Sequence, residues 1–163
     1  MSLAKKIECI LFNFFPPFRG SGGRLTYISD DYREVRLRLP LNLRTRNIVG
    51  TTYGGSMYGA VDPIYMIMLM KILGDEYAVW DRSSNIRFKR PGMETLYAEF
   101  HISEQETDEI IEVLETRKST NRDYVVELKN AAGEIHAVID KEIYVARKRR
   151  PAPVKVNEPV SAT

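Results

Sequence analysis

Residues 47–74 read NIVGTTYGGSMYGAVDPIYMIMLMKILG, and this stretch decides the fold. From Gly54 onward, Met57, Val61, Ile64, Met68 and Ile72 recur with the period of an α-helix. Tyr65, Met66, Ile67, Leu69 and Met70 make most of the remaining helix surface apolar. A helix apolar on every side is expected to be enclosed on every side. Gly74 ends it. Pro63 lies inside it, has no N–H for the Gly59 carbonyl, and predicts a bend near Asp62. Gly59 allows another backbone to approach closely.

The same stretch carries the candidate chemistry. The pair Gly54–Gly55 leaves backbone N–H groups unobstructed at the positive end of the helix, a place suited to a negative oxygen. Asp62 follows Gly55 by seven residues, about two turns, so it stands near the Gly55 face, further along. Tyr53 directly precedes the glycine pair, and Asn47 and Gly50 lie in the loop before it. Each residue also has a plain reading. The glycines serve tight helix–sheet packing, Asp62 serves local hydrogen bonding at the bend, Asn47 turns or caps a loop, and Tyr53 walls a pocket.

Outward from the helix, residues 3–15 predict a short amphipathic helix stopped by Pro16–Pro17, with a turn at Gly20, Gly22 and Gly23. Its expected place is against the domain, with a membrane-surface or partner helix as the alternative. Period-two alternation over residues 24–39 predicts a hairpin or a bulged strand. Strands follow at residues 77–90 and 95–102, then a helix at 104–116, with a strand through Ile110–Leu114 as the alternative. A strand through Tyr124, Val126 and Leu128 comes next, and a last strand is lined on one side by Ile135, Ala137, Ile139, Ile143 and Val145. The pattern is α+β: an antiparallel sheet wrapped around a long central helix. Residues 1–19 are read as an N-terminal helix and linker, 20–150 as the domain, and 151–163 as a flexible tail. One modest sheet covers one side of so apolar a helix, so a partner subunit is expected.

Composition excludes several classes. The chain has 163 residues with a formal net charge of +2, too little to argue for nucleic acid, and the basic run at 147–150 reads as a solvated edge. The one cysteine, Cys9, sits in an apolar run, excludes an intrachain disulfide and fits a reducing, cytoplasmic setting. The N-terminal apolar positions are too few and too interrupted for stable membrane insertion. No compact metal-ligand spacing emerges, and His101 and His136 read as surface or interface residues on separate strands.

Taken together, Asn47, Gly50, Tyr53–Gly54–Gly55 and Asp62 resemble the motif of hotdog-fold acyl-CoA thioesterases related to the phenylacetate-pathway branch. In that branch a loop asparagine and glycine precede His-Gly-Gly at a helix start, and an acidic residue lies further down the helix. Tyr53 occupies the histidine position. The chain looks closer still to an uncharacterised hotdog branch with Gly-Thr before an aromatic-Gly-Gly motif, and the likeness covers roughly residues 20–147.

The resemblance implies an acyl-thioester hydrolase. The carbonyl would be held on the Gly55 N–H, and Asp62, contributed across a dimer interface, would activate water or attack the carbonyl. Asn47 and Tyr53 would orient water or substrate. Tyrosine titrates near 10, which makes it a poor general base. Gly50, Gly54, Tyr58 and Tyr65 would shape the acyl site, and Arg82, Arg87 and Lys89 would meet the phosphates of coenzyme A, the alternative for each cation being a solvated strand face. Acyl-coenzyme A enters as substrate, with no cofactor and no metal. A homodimer or homotetramer is implied. The alternative is a non-catalytic protein that binds fatty-acyl or aromatic-acyl ligands, which requires no histidine.

Overall fold

The computed structural model describes residues 1–148. The expected tail at 151–163 and the end of the basic run lie outside them. Helix α1 (Leu3–Phe14) is capped by the Ser2 hydroxyl, which accepts the Lys5 N–H. Pro16–Pro17 does more than stop it. The pair opens a second short helix, α2 (Pro16–Ser21), at the first-turn positions where a missing N–H costs nothing. The expected turn therefore begins only at Gly22.

Strands β1 (Arg24–Ile28) and β2 (Glu34–Leu39) form the predicted hairpin, with a register shift between Leu25 and Tyr27. The central helix is divided at Asp62–Pro63 into α3 (Gly54–Val61) and α4 (Ile64–Leu73). The missing proline N–H interrupts the ladder at the expected place. Strands β3 (Tyr77–Phe88) and β4 (Leu96–His101) follow, then helix α5 (Glu104–Thr116), β5 (Ser119–Lys129) and β6 (Ile135–Arg147).

All six strands belong to one sheet in the order β1-β2-β4-β5-β6-β3, and every pairing is antiparallel. Alternation fills one face with Val35, Leu37, Leu39, Leu96, Ala98, Phe100, Val126, Leu128, Ile139 and Ile143, all buried. Against it the central helix buries Met57, Val61, Ile64, Met68 and Leu69. Truncating such a side chain to alanine typically costs about 2–5 kcal/mol.

The Gly54–Leu73 stretch is long and apolar enough to span a membrane by composition, yet it is the broken core helix of this sheet. Enclosure is not complete. Met66 and Ile67 are half-buried and Met70 is exposed, because one sheet covers one side. At Gly59 a Cβ would lie 3.3 Å from Ser21 Cβ, so this glycine lets α2 approach.

Candidate functional site

The loop before the central helix is built by Asn47. Its Oδ1 accepts the N–H groups of Val49 and Thr51, and its Nδ2 donates to Thr51 Oγ1 at 2.8 Å. Gly50 completes the turn at φ 89°, in the left-handed region that favours glycine. Asn47 thus spends most of its hydrogen-bonding capacity on fixing residues 47–51.

That loop delivers the chain to Tyr53, whose carbonyl accepts the Ser56 and Met57 N–H groups at the start of α3. The Gly54 and Gly55 N–H groups have no acceptor among the described residues. They are the orphan donors of a helix N-terminus. A Cβ on Gly54 would lie 2.7 Å from the Phe88 ring, and one on Gly55 would lie 2.3 Å from the Tyr53 ring. The glycines therefore let two aromatic rings close over the helix start, one from β3 and one from the preceding residue.

A cavity of about 370 Å3 opens here, lined by Asn47, Thr51, Gly54, Met57, Phe88, Lys89 and Arg90 among others. A larger groove, about 740 Å3, lies around Tyr97, Val125 and Lys129, where β4 and β5 share a single register pair. Its lining includes no residue of the helix start, and its Lys129 is paired with Glu127 at 2.7 Å, so the smaller cavity is the candidate site.

The expected phosphate-binding residues separate. Lys89 lines the cavity and has no ion pair among the described residues. Arg90, also lining it, is paired with Glu134 at 2.5 Å. Arg87 is paired with Asp140, which holds the Asp140 carboxyl below its ordinary value. Arg82 is the extra residue of a bulge between Asp81 and Ser83, and its guanidinium donates to Asn121 Oδ1 at 3.3 Å. Tyr65 lies in the core, stacked on Tyr124 at 4.4 Å and edge-on to Phe100 at 5.1 Å, away from the cavity. Burial is the main cause that raises its hydroxyl pKa.

Asp62 has company that the sequence reading missed. Lys141 Nζ donates to Asp62 Oδ1 at 2.6 Å and to the Asp62 carbonyl at 2.9 Å. Asp81 Oδ1 lies 2.8 Å from the same ammonium, as a second ion pair. The Lys141 side chain is wholly buried, while that of Asp62 is 37% exposed. Burial lowers the Lys141 pKa, but the two carboxylates outweigh it and the net shift is upward. Burial pushes the Asp81 carboxyl up, against the pull of Lys141. Tyr58, whose ring centroid is 5.7 Å from Lys141 Nζ, has its hydroxyl pKa raised by burial first and then by Asp62. One signal in the sequence pointed here. In the apolar alternation of β6, Lys141 holds the inward position between Ile139 and Ile143.

His136 departs from expectation. It is buried, with Nδ1 3.0 Å from the Pro91 carbonyl and Nε2 without a partner among the described residues. His101 is exposed as read. Cys9 is buried, its thiol donates to the Leu25 carbonyl, and burial raises its pKa. Among the described residues no group of His, Cys, Asp and Glu is arranged to hold a metal ion.

The family model for a domain of unknown function, DUF4442, matches residues 4–145. The chain belongs to the DUF4442 family. Comparison with curated protein sequences returns no match. Among solved structures it is similar to a Pseudomonas aeruginosa protein of unknown function described as a probable thioesterase. That match has 18% identity and a TM-score of 0.78, covering 91% of this chain and 99% of that one. A Haemophilus influenzae thioesterase matches with 11% identity and a TM-score of 0.65, over 90% of this chain and 93% of that one. Thioesterase superfamily member 2 from Mus musculus matches with 17% identity and a TM-score of 0.63, over 88% and 98%. At these identities the likeness establishes the fold, and this member of the family has the hotdog fold.

Proposed function

We propose that this DUF4442 member hydrolyses acyl thioesters, with coenzyme A as the carrier. The observation that carries the reading is the helix start at Gly54–Gly55, where two N–H groups lack an acceptor among the described residues and Gly54 lines a cavity shared with Lys89, which has no ion pair among them. A thioester carbonyl there would meet backbone donors and the helix dipole as negative charge develops on its oxygen. Lys89 suits a carrier phosphate. Structures described as thioesterases share the fold, which favours thioester chemistry over other uses of the site.

Asp62 is the carboxylate for water activation or attack, but not within one protomer. Seven residues of helix place it about 10 Å along the axis from Gly55. A carbonyl on one helix start therefore needs Asp62 of the partner subunit. Edge strand β3 suits that partnership. It is a twelve-residue strand with Ser83, Ser84 and Asn85 exposed, and it carries the exposed Trp80 and Phe88. An unpaired edge of that length is a template for another copy. Sedimentation across micromolar concentrations should show a dimer or a dimer of dimers. A monodisperse monomer would defeat the shared site.

The test of the reading is a hydrolysis screen over short, long and aromatic acyl-coenzyme A substrates. Tight binding without turnover would favour the non-catalytic acyl-binding alternative, which the ring of Tyr53 over Gly55 makes specific. Gly55→Val tests the location in either case. Its side chain must displace the Tyr53 ring and crowd the carbonyl position. Affinity for the best acyl ligand should fall at least about 10-fold, or ~1.4 kcal/mol, by calorimetry on folded protein. Equal affinity in the two proteins would rule out this helix start.

A further inference from the structure

Helix α1 is mounted the wrong way round for a helix of a water-exposed domain. Leu3, Ile7, Ile10, Leu11 and Phe14 fall on one face, and each is between 51% and 74% exposed. The buried residues of the helix are Lys5 and Cys9, on the opposite face. Ordinarily the apolar stripe of a surface helix faces the core. Here the opposite face, polar but for Cys9 and Phe12, is fixed to the domain. Asn13 Oδ1 accepts the Leu25 N–H at 2.7 Å, Cys9 donates to the Leu25 carbonyl, Glu8 accepts the Tyr32 hydroxyl at 2.6 Å, and the Phe12 ring meets that of Phe18 at 4.7 Å. The expected amphipathic helix does pack on the domain, but with its apolar stripe outward.

The rim of the exposed stripe is cationic. Lys6 flanks it, and Arg24, which donates to the Asn13 carbonyl, stands on the same flank. Arg19 lies over the Phe14 ring at 5.6 Å, and Arg44 donates to the Arg19 carbonyl. On the other flank Glu8 is occupied by Lys5, Lys71 and the Tyr32 hydroxyl. Asp30, which accepts the Ser2 N–H, is the acidic group at the N-terminal end.

We infer that the outward face of α1 docks on an anionic lipid surface. Apolar side chains would enter the acyl boundary while Lys6, Arg19, Arg24 and Arg44 meet lipid phosphates, as an interfacial helix does. Charge argues against a second copy as the occupant. A two-fold contact through this face would bring two cationic rims together. The sheet order argues likewise, since α1 packs on β1 at the edge opposite β3, where pairing of copies is expected. This docking is peripheral and independent of the thioesterase reading.

The test is co-sedimentation of the full chain with vesicles of phosphatidylcholine mixed with phosphatidylglycerol, against vesicles of phosphatidylcholine alone. The wild type should prefer the mixed vesicles, and salt should weaken the preference. Leu11→Glu with Phe14→Glu should weaken partitioning at least about 100-fold. Lys6→Glu with Arg19→Glu should remove most of the anionic preference, about five-fold for each cation lost. All the substituted side chains are exposed, so thermal melting should not change. If the glutamate pair does unfold the protein, Leu11→Ser with Phe14→Ser gives the same readout. Wild-type protein that ignores the mixed vesicles would overturn the inference, as would apolar-face variants that bind as wild type does. Self-association abolished by those variants, with no vesicle binding by wild type, would make the face a contact between copies and equally overturn it.

Discussion

Asp62→Asn is expected to lower kcat/KM on the best acyl thioester by about 10²–10⁴-fold, or ~3–5 kcal/mol of barrier. Asparagine keeps the size of the side chain and can still accept from Lys141, so the change isolates the loss of negative charge and basicity. The pairing with Lys141 at 2.6 Å shapes the expectation. It engages Oδ1 of a side chain that is still 37% exposed. Tyr53→Phe should cost far less, roughly 3–30-fold, since its hydroxyl can only orient or donate a hydrogen bond worth about 1–2 kcal/mol. Asp81→Asn is the control. It removes a neighbouring carboxylate without touching the proposed reacting group, and should leave activity within about ten-fold of wild type. Activity retained in Asp62→Asn and abolished in Tyr53→Phe would reverse the roles assigned to these residues.

Lys141→Met should destabilise the fold by about 2–4 kcal/mol, the upper part of the buried-pair range being discounted because Asp62 is partly exposed. That corresponds to roughly 5–15 °C in Tm. The loss has two sources: the ammonium that holds the Asp62 carbonyl at the helix break disappears, and Asp62 and Asp81 are left as like charges. Lys141→Met with Asp81→Asn should therefore recover much of the loss.

The pH dependence follows from the directions of the shifts. The Lys141 pKa is raised above 10.5, so its stabilising contribution is fully present below that value. It fades as pH rises through the folded-state value, and Lys141→Met lacks this alkaline loss. The Asp81 pKa is raised above 3.8, so the folded protein holds this proton more readily than the unfolded chain. Stability therefore falls as pH rises from 3.8 through the folded value, and the deficit of Lys141→Met should shrink on acidification. Thermal melts of both proteins across that range check the sign. A Tm for Lys141→Met indistinguishable from wild type at neutral pH would show that the cluster does not hold the helix break.

Periodicity made much of this protein legible. The helix at 54–73, its break at Pro63 and the hairpin within 24–39 all rest on local rules of spacing and backbone freedom. The loop of Asn47 was also readable, because its hydrogen bonds lie within a few residues of one another. Lys141 was not, although its position in β6 marked it. A lysine among inward apolar residues requires a buried anion, and finding which one requires knowing that β6 runs beneath the helix break and beside the β3 bulge. The separation of Arg87 from Lys89 was equally out of reach. Both are cations of one strand region, and only the register that sets Asp140 beside Arg87 distinguishes them.

By itself, then, the sequence determined the α+β class, the broken central helix and the helix start that makes a carbonyl site chemically sensible. Those features depend on the chain's own backbone restrictions and on which residues seek burial. Tertiary structure alone decided that Asp62 shares a buried ammonium with Asp81, that Tyr53 covers Gly55, and that α1 presents its apolar face outward. An amphipathic pattern says that a helix has two faces. Which of them meets the domain depends on partners such as Leu25 and Asn13, whose hydrogen bonds across the fold turn the polar side of α1 inward.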